Sequence, residues 1–414
     1  MAAPAAHAHL ARPAAAAKLP AYGTLWLSSP PTGDLLEFAA PGPNAPVDQN
    51  PIVEITGADT TLNDPQGVAI DHHGRVWVAN LGANSVLVFA PPASGPPVDA
   101  TPVVTISGNK TGLSAPVAVA LTQKGNVWVA NQGSSTITEY AAGAHGNVAP
   151  SRTIAGSNTT LSNLSGIAAS PDGTKVWVSE ERVRRAATPP ALVEFSGTAH
   201  GNAKPLTMIS GLNTQMNKPS GVTVGVTGND PITVNENLDN PPALLSFAPG
   251  AHGDVKPAEE VSGENTGLSE PQLPALDAVG NIWVPNTLNN EVSRFGPTQH
   301  GNVGPQRLFL GTDLNEPSSI AVFIVPPGVP AAVKTQSTKK LRITWSAPHV
   351  TGGGILGYQV RRAHKKGGPW TVVKTTSATA RSYTKSHPHK GFFYDVIAFN
   401  EAGYSTPSHP NKPI

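Results

Sequence analysis

Six short segments end on side chains that could do chemistry. "LWLSS" (25–29), "VWVAN" (76–80 and again 127–131), "VWVSE" (176–180), "ITVNE" (232–236) and "IWVPN" (282–286) close on Ser29, Asn80, Asn131, Glu180, Glu236 and Asn286. Carboxylate and amide oxygens are the ligands of hard cations such as Ca²⁺. Asn80, Asn131, Glu180, Glu236 and Asn286 are therefore a candidate divalent-cation set, provided the fold gathers them. Asn also caps turns by hydrogen-bonding nearby backbone, and "VANLGANS" (78–85) has the composition of such a turn. Turn chemistry favours the capping role, and the cation role stays open beside it.

Departures from the shared pattern single out two neighbouring copies. The fourth and fifth close on Glu, and both run into longer loops, "EERVRRAATPPAL" (180–192) and "ENLDNPPAL" (236–244). Extended loops on a rigid frame are where binding function concentrates. That makes Glu180, Glu181, Arg182, Arg184, Arg185 and Glu236 the candidate ligand-binding residues. Their mixed charge suits a polar ligand or a protein surface. Other chemistry is sparse. With no Cys in the chain, disulfides, thiolate metal sites and Cys nucleophiles are excluded, and no G-x-S-x-G elbow is present. His recurs in "HGNVAP" (145–150), "HGNAKP" (200–205), "HGDVKP" (252–257) and "HGNVGP" (300–305). Equivalent places in successive repeats spread these residues apart, so a turn role is expected of them. The pair His72 and His73 is a lesser metal candidate in a turn.

The elements that must position these residues repeat with them. Trp26, Trp77, Trp128, Trp177 and Trp283 share one register, with Thr233 in the fifth copy, at steps of 51, 51, 49, 56 and 50 residues. Five copies follow an apolar run of the type "DPQGVAI" (64–70); a third run such as "VLVF" (86–89) comes next, then a fourth such as "PVVTISG" (102–108). Each unit is thus four short alternating runs between Gly, Asn and Pro turns, with no helical period. Four strands per period of about 50 residues predict a propeller blade. The first copy lacks its leading run, and "EPSSIAVFI" (316–324) is a leading run with no copy behind it. The expected fold is all-β: a six-bladed β-propeller over 21–325, its first blade completed by that late strand.

"DPQGVAIDHHGRVWVANLGANSVLVF" (64–89) resembles an NHL-type propeller repeat. The resemblance places residues 21–325 in a superfamily that includes scaffolding modules, gluconolactonase-like hydrolases and streptogramin (virginiamycin B) lyases. Gluconolactonase-like members hold metal with carboxylate and Asn at the channel. The lyases imply His and Glu at its mouth, and none of the six positions here is His. Residues 326–414, with "LRITWSAP" (341–348), "ILGYQVRRA" (355–363) and "FFYDVIAFNEAGYSTPS" (392–408), resemble a fibronectin type III sandwich. That resemblance puts Trp345 between the sheets and Tyr394 at the corner-tyrosine position.

Charge separates the two parts. Residues 326–414 hold 13 Lys and Arg against Asp395 and Glu401, a surplus of 11, while residues 1–325 hold 15 basic and 25 acidic residues, a deficit of 10. The basic part should bind anionic surface polymers through Arg361, Arg362, Lys365 and Lys366. No run approaches 18 apolar residues, so no membrane span is expected. The Ala/Pro-rich residues 1–20 read as a flexible leader without the apolar core of an export signal. These readings together predict a bacterial-type extracytoplasmic binding or scaffold protein, secreted or at the cell surface, whose propeller faces a protein or carbohydrate ligand. The alternative is a metal-dependent lactonase- or streptogramin-lyase-like enzyme working through channel-mouth carboxylates.

Overall fold

The computed structural model describes residues 23–39, 48–71, 73–90, 97–181, 189–225, 230–236, 241–277, 280–311, 314–323, 327–337, 340–348, 355, 357–386, 391–400, 403–405 and 407–408. These residues form strands, turns and single-turn 3-10 segments, with no α-helix among them.

From Thr24 to Phe323 six sheets follow one another, antiparallel except for one short strand added to the sixth. The second sheet sets Pro65–Ile70, Val76–Asn80, Ser85–Phe89 and Val104–Ser107 side by side in chain order. The third, fourth and fifth repeat that plan from Pro116–Leu121, Leu164–Ala169 and Pro219–Val224, and the sixth begins at Ala275–Leu276. The first sheet differs. Its Thr24–Ser29, Asp34–Ala39 and Val53–Ile55 strands come from one end of this region, but its leading strand is Ser319–Phe323, antiparallel to Thr24–Ser29 from Ser28↔Ser319 to Thr24↔Phe323.

Alternation within each second strand explains how the sheets stack. All five residues of Val76–Asn80 are buried, because both faces of the strand are covered. Val76 and Val78 pack with Trp26 of the first sheet, while Trp77 and Ala79 pack with Val119, Val127 and Tyr140 of the third. Trp128, Trp177 and Trp283 bridge to the next sheet in the same way. Leading strands contact their neighbours in succession, Ser319–Phe323 on Pro65–Ile70 and so on to Ala275–Leu276, which again touches Ser319–Phe323. They approach closely: a Cβ on Gly67 would lie 2.6 Å from Ala118 Cα, and one on Gly221 2.8 Å from Leu273 Cα. This close approach is why three of the leading strands carry Gly, at Gly67, Gly166 and Gly221. The six leading strands enclose a cavity of about 280 Å³.

The outer edges are joined by a clasp that sequence reading missed. Each of the first five sheets ends in a G-x-x-T turn, at Gly57, Gly108, Gly156, Gly211 and Gly263, whose Thr hydroxyl donates to the Gly carbonyl at 2.6 to 2.8 Å. Against the first turn lie Val98 and Asp99 of the second repeat, and against the other four lies the H-G-N/D segment of the next repeat. Gly146, Gly201, Gly253 and Gly301 bridge in parallel to Ile106, Ile154, Ile209 and Val261. Asn147, Asn202, Asp254 and Asn302 accept the N–H of Lys110, Asn158, Asn213 and Asn265. Gly108 has φ +118, and a Cβ there would meet the Asn147 carboxamide at 2.5 Å, so only Gly fits the turn. Between the sixth and first sheets the contact is a parallel pairing of Leu310–Gly311 with Asp48–Gln49.

The C-terminal strands form two further sheets, Ala331–Ser337/Leu341–Ser346/Ser382–Lys385 and Thr371–Ser377/Gly357–Ala363/Phe393–Asn400/Gly403–Tyr404. Trp345, Tyr358 and Tyr394 lie in the core between them, with the Trp345 and Tyr358 rings 5.5 Å apart.

Candidate functional site

The side chains closing the second strands are turned into their own repeats. Asn80 accepts the Asn63 N–H at 2.7 Å through Oδ1 and donates from Nδ2 to the Thr61 carbonyl and Ser85 Oγ. Asn131 accepts from Ser114 and donates to Thr138; Asn286 accepts from Ser269 and donates to Ser293. Glu180 Oε1 accepts the Ser162 N–H at 3.2 Å. Each side chain spans 17 or 18 residues to anchor the loop that enters the leading strand. All four are buried, the three Asn completely.

The fifth repeat corrects the register expected there. Ile232 stands opposite Thr223 as Trp177 stands opposite Ala168, so Ile232, not Thr233, takes the Trp position. The anchoring residue is then Asn235, which accepts the N–H groups of Asn217 and Lys218 at 2.8 and 3.0 Å. Glu236 sits one residue beyond, where its carboxylate pairs with Lys218 Nζ at 2.5 Å and receives Gln272 Nε2 at 3.4 Å. The expected cation set of Asn80, Asn131, Glu180, Glu236 and Asn286 therefore divides. Four members serve as anchors and Glu236 is held by an ammonium. Among the described residues no three His, Cys, Asp or Glu side chains gather at a metal-binding distance.

Electrostatics separates the two Glu residues further. Burial desolvates the Glu180 carboxyl and pushes its pKa up to about 8, against the pull of the Ser162 hydrogen bond. A carboxyl shifted that far favours its protonated form at neutral pH. Glu181 is also pushed up by burial; the Lys218 charge opposes the shift and the Glu236 charge adds to it. Glu181 of the fourth repeat thus shares its surroundings with Lys218 and Glu236 of the fifth and Gln272 of the sixth. Of the predicted ligand-binding residues, Glu236 pairs with Lys218, which sequence reasoning missed, and Glu181 lies within range of both charges. Glu180 stays behind as an anchor. Arg182, Arg184 and Arg185 lie outside the described residues. The Lys218 ammonium, paired with Glu236, can exchange that contact for one to a polar ligand.

The recurrent His residues do not converge. His145, His252 and His300 each place Nδ1 near the carbonyl two residues earlier, within their own turns. His72 lies outside the described residues, and His73 donates its backbone N–H to Asp71.

In the C-terminal module the expected basic cluster is partly engaged. Arg361 donates twice to the fully buried Asp395, at 3.0 and 2.6 Å, and its guanidinium lies 5.5 Å from the Trp370 ring centre. Arg362 lies over Phe392 at 4.8 Å. Lys365 and Lys366 remain exposed. A second basic surface occupies the outer face of the three-stranded sheet, where Lys334 and Arg342 are exposed.

Comparison with known proteins identifies the module. The family model for the fibronectin type III domain matches residues 325–413. Protein sidekick-2 of Mus musculus is 32% identical over 94 residues, 22% of this chain and 4% of that protein. Protein sidekick-1 of Homo sapiens is 34% identical over 94 residues, 21% of this chain and 4% of that protein. The chain therefore spans about 4% of the length of these curated relatives. Among solved structures, a nidogen/laminin complex aligns at 13% identity and a TM-score of 0.48, covering 72% of this chain and 97% of that one. Kuenenia stuttgartiensis hydrazine synthase aligns at 14% identity and a TM-score of 0.39, covering 70% and 79%. Among the described residues no helix is long and apolar enough to cross a membrane.

Proposed function

We propose that residues 21–325 form a closed six-bladed β-propeller of NHL-like type that acts as an extracytoplasmic, secreted or surface-held binding scaffold. The fibronectin type III domain at 326–414 attaches it to an anionic surface. Closure is supported by the succession of leading strands that returns to its start, by the Ser319–Phe323 strand inside the first sheet, and by the pairing of Asp48–Gln49 with the sixth. One observation carries the scaffold reading. The strand-closing side chains are engaged as anchors, while Lys218, Glu236 and Gln272 meet where the fifth and sixth repeats join, with Glu181 of the fourth within range of their charges. That site is the ligand face, suited to a protein or carbohydrate ligand rich in polar groups, and the sequence proposes Arg182, Arg184 and Arg185 as further members.

Screening the full chain against immobilised oligosaccharides and against lactone and streptogramin substrates tests this. The expected result is binding without turnover, lost in Lys218→Met and Glu236→Gln. Turnover abolished by Glu236→Gln would replace the scaffold by the lactonase- or lyase-like enzyme.

A further inference from the structure

We propose that the outer face of the three-stranded sheet in the fibronectin type III domain docks on the acidic propeller of a second copy of this chain. The proposal rests on the attachment reading above and names the anionic partner. Register places two rows of side chains across this face: Gln336, Arg342 and Thr384 in one, Lys334, Thr344 and Ser382 in the other. All but the half-buried Thr344 are exposed. Every one can donate a hydrogen bond, two are cations, and the face bears neither a carboxylate nor a large apolar side chain. Among the described residues the only carboxylate of the domain, Asp395, is buried beneath Arg361, and no described ion pair uses Lys334 or Arg342. A flat field of donors fits a surface of carboxylates.

Such a surface is present in the same chain. Residues 1–325 carry 25 acids against 15 bases, nearly cancelling the surplus of 11 in the C-terminal domain. Asp59, Glu264, Glu270 and Glu316 are exposed and belong to no described ion pair. Each stands where an outer strand has ended or a leading strand is about to begin, which puts them on one side of the proposed propeller. The contact uses different surfaces on the two copies, so it is heterologous and head-to-tail.

Sedimentation of the full chain as salt is raised from about 0.01 M, where charges reach about 30 Å, to about 0.5 M tests the proposal. The average mass should exceed the monomer at low salt and fall to it at high salt. Lys334→Glu with Arg342→Glu, or Glu270→Lys with Glu316→Lys, should each give monomers at low salt, and an equal mixture of the two variants should associate again. A wild-type chain that is monomeric throughout, or association that survives the Lys334→Glu/Arg342→Glu change, overturns the proposal. Retention on a dextran sulfate column separates this from the attachment reading. Monomeric wild type whose retention falls in the Lys334→Glu/Arg342→Glu variant keeps attachment and removes self-docking; unchanged retention removes attachment itself.

Discussion

Asn80 uses one carboxamide for three hydrogen bonds, and its value lies in the backbone groups it satisfies. Asn80→Ala leaves the Asn63 N–H without its acceptor, so urea unfolding should show a loss of about 1–2 kcal/mol; Asn80→Asp, which keeps that acceptor but sets a buried carboxylate oxygen against the Thr61 carbonyl, should lose at least as much. The same engagement leaves these oxygens without a free face for calcium. Melting temperatures with Ca²⁺ and with chelator should coincide, and a calcium-dependent rise removed by Glu180→Gln would return these oxygens to a metal role. Glu180 has a different signature. Its folded pKa of about 8 lies above the unfolded carboxyl value, so the folded state holds the extra proton between them. Stability from this group is complete below the unfolded value and is lost as pH rises through about 8. Glu37, which burial pushes up to about 7, acts in the same direction. Glu180→Gln should therefore flatten the pH dependence of unfolding, removing up to about 1.4 kcal/mol per pH unit in that window.

At the scale of elements, the clasp makes each outer turn depend on the following repeat. Asn147→Ala removes the acceptor for the Lys110 N–H and should cost about 1 kcal/mol, with faster amide exchange at Lys110. Gly108→Ala should cost more, since it meets both a positive φ and the Asn147 side chain. The strands were legible in the sequence because burial on both faces leaves an apolar run, and the Trp of five repeats sits at the same point of each sheet-to-sheet contact. The clasp was not legible. A single parallel bridge through a Gly leaves no alternating pattern, and "HGN" reads equally well as a bare turn. The fifth register slipped for a local reason: "ITVNE" ends in both an amide and a carboxylate, and only the pairing of Ile232 with Thr223 shows that Asn235 is the anchor. Lys218 escaped notice because its partner lies 18 residues on, across a sheet.

For the whole molecule, the decisive strand is Ser319–Phe323. A chain ending at Asn315 leaves Thr24–Ser29 without its leading partner and should lose the cooperative unfolding that a chain ending at Pro330 retains. Equal melting of the two, followed by circular dichroism, would remove ring closure. That same strand ties folding to time. Ser28 and Ser318 have hydroxyl oxygens 3.2 Å apart and stand 290 positions apart in the chain. A ribosome adding about 5–20 residues per second needs roughly 15–60 s to cover that separation. Through that interval the Thr24–Ser29 strand is already made and its partner is not, and it presents an open edge to every other nascent chain nearby. The first sheet to be synthesised is the last to be completed, so slower elongation leaves its amino-terminal strand unpaired for longer.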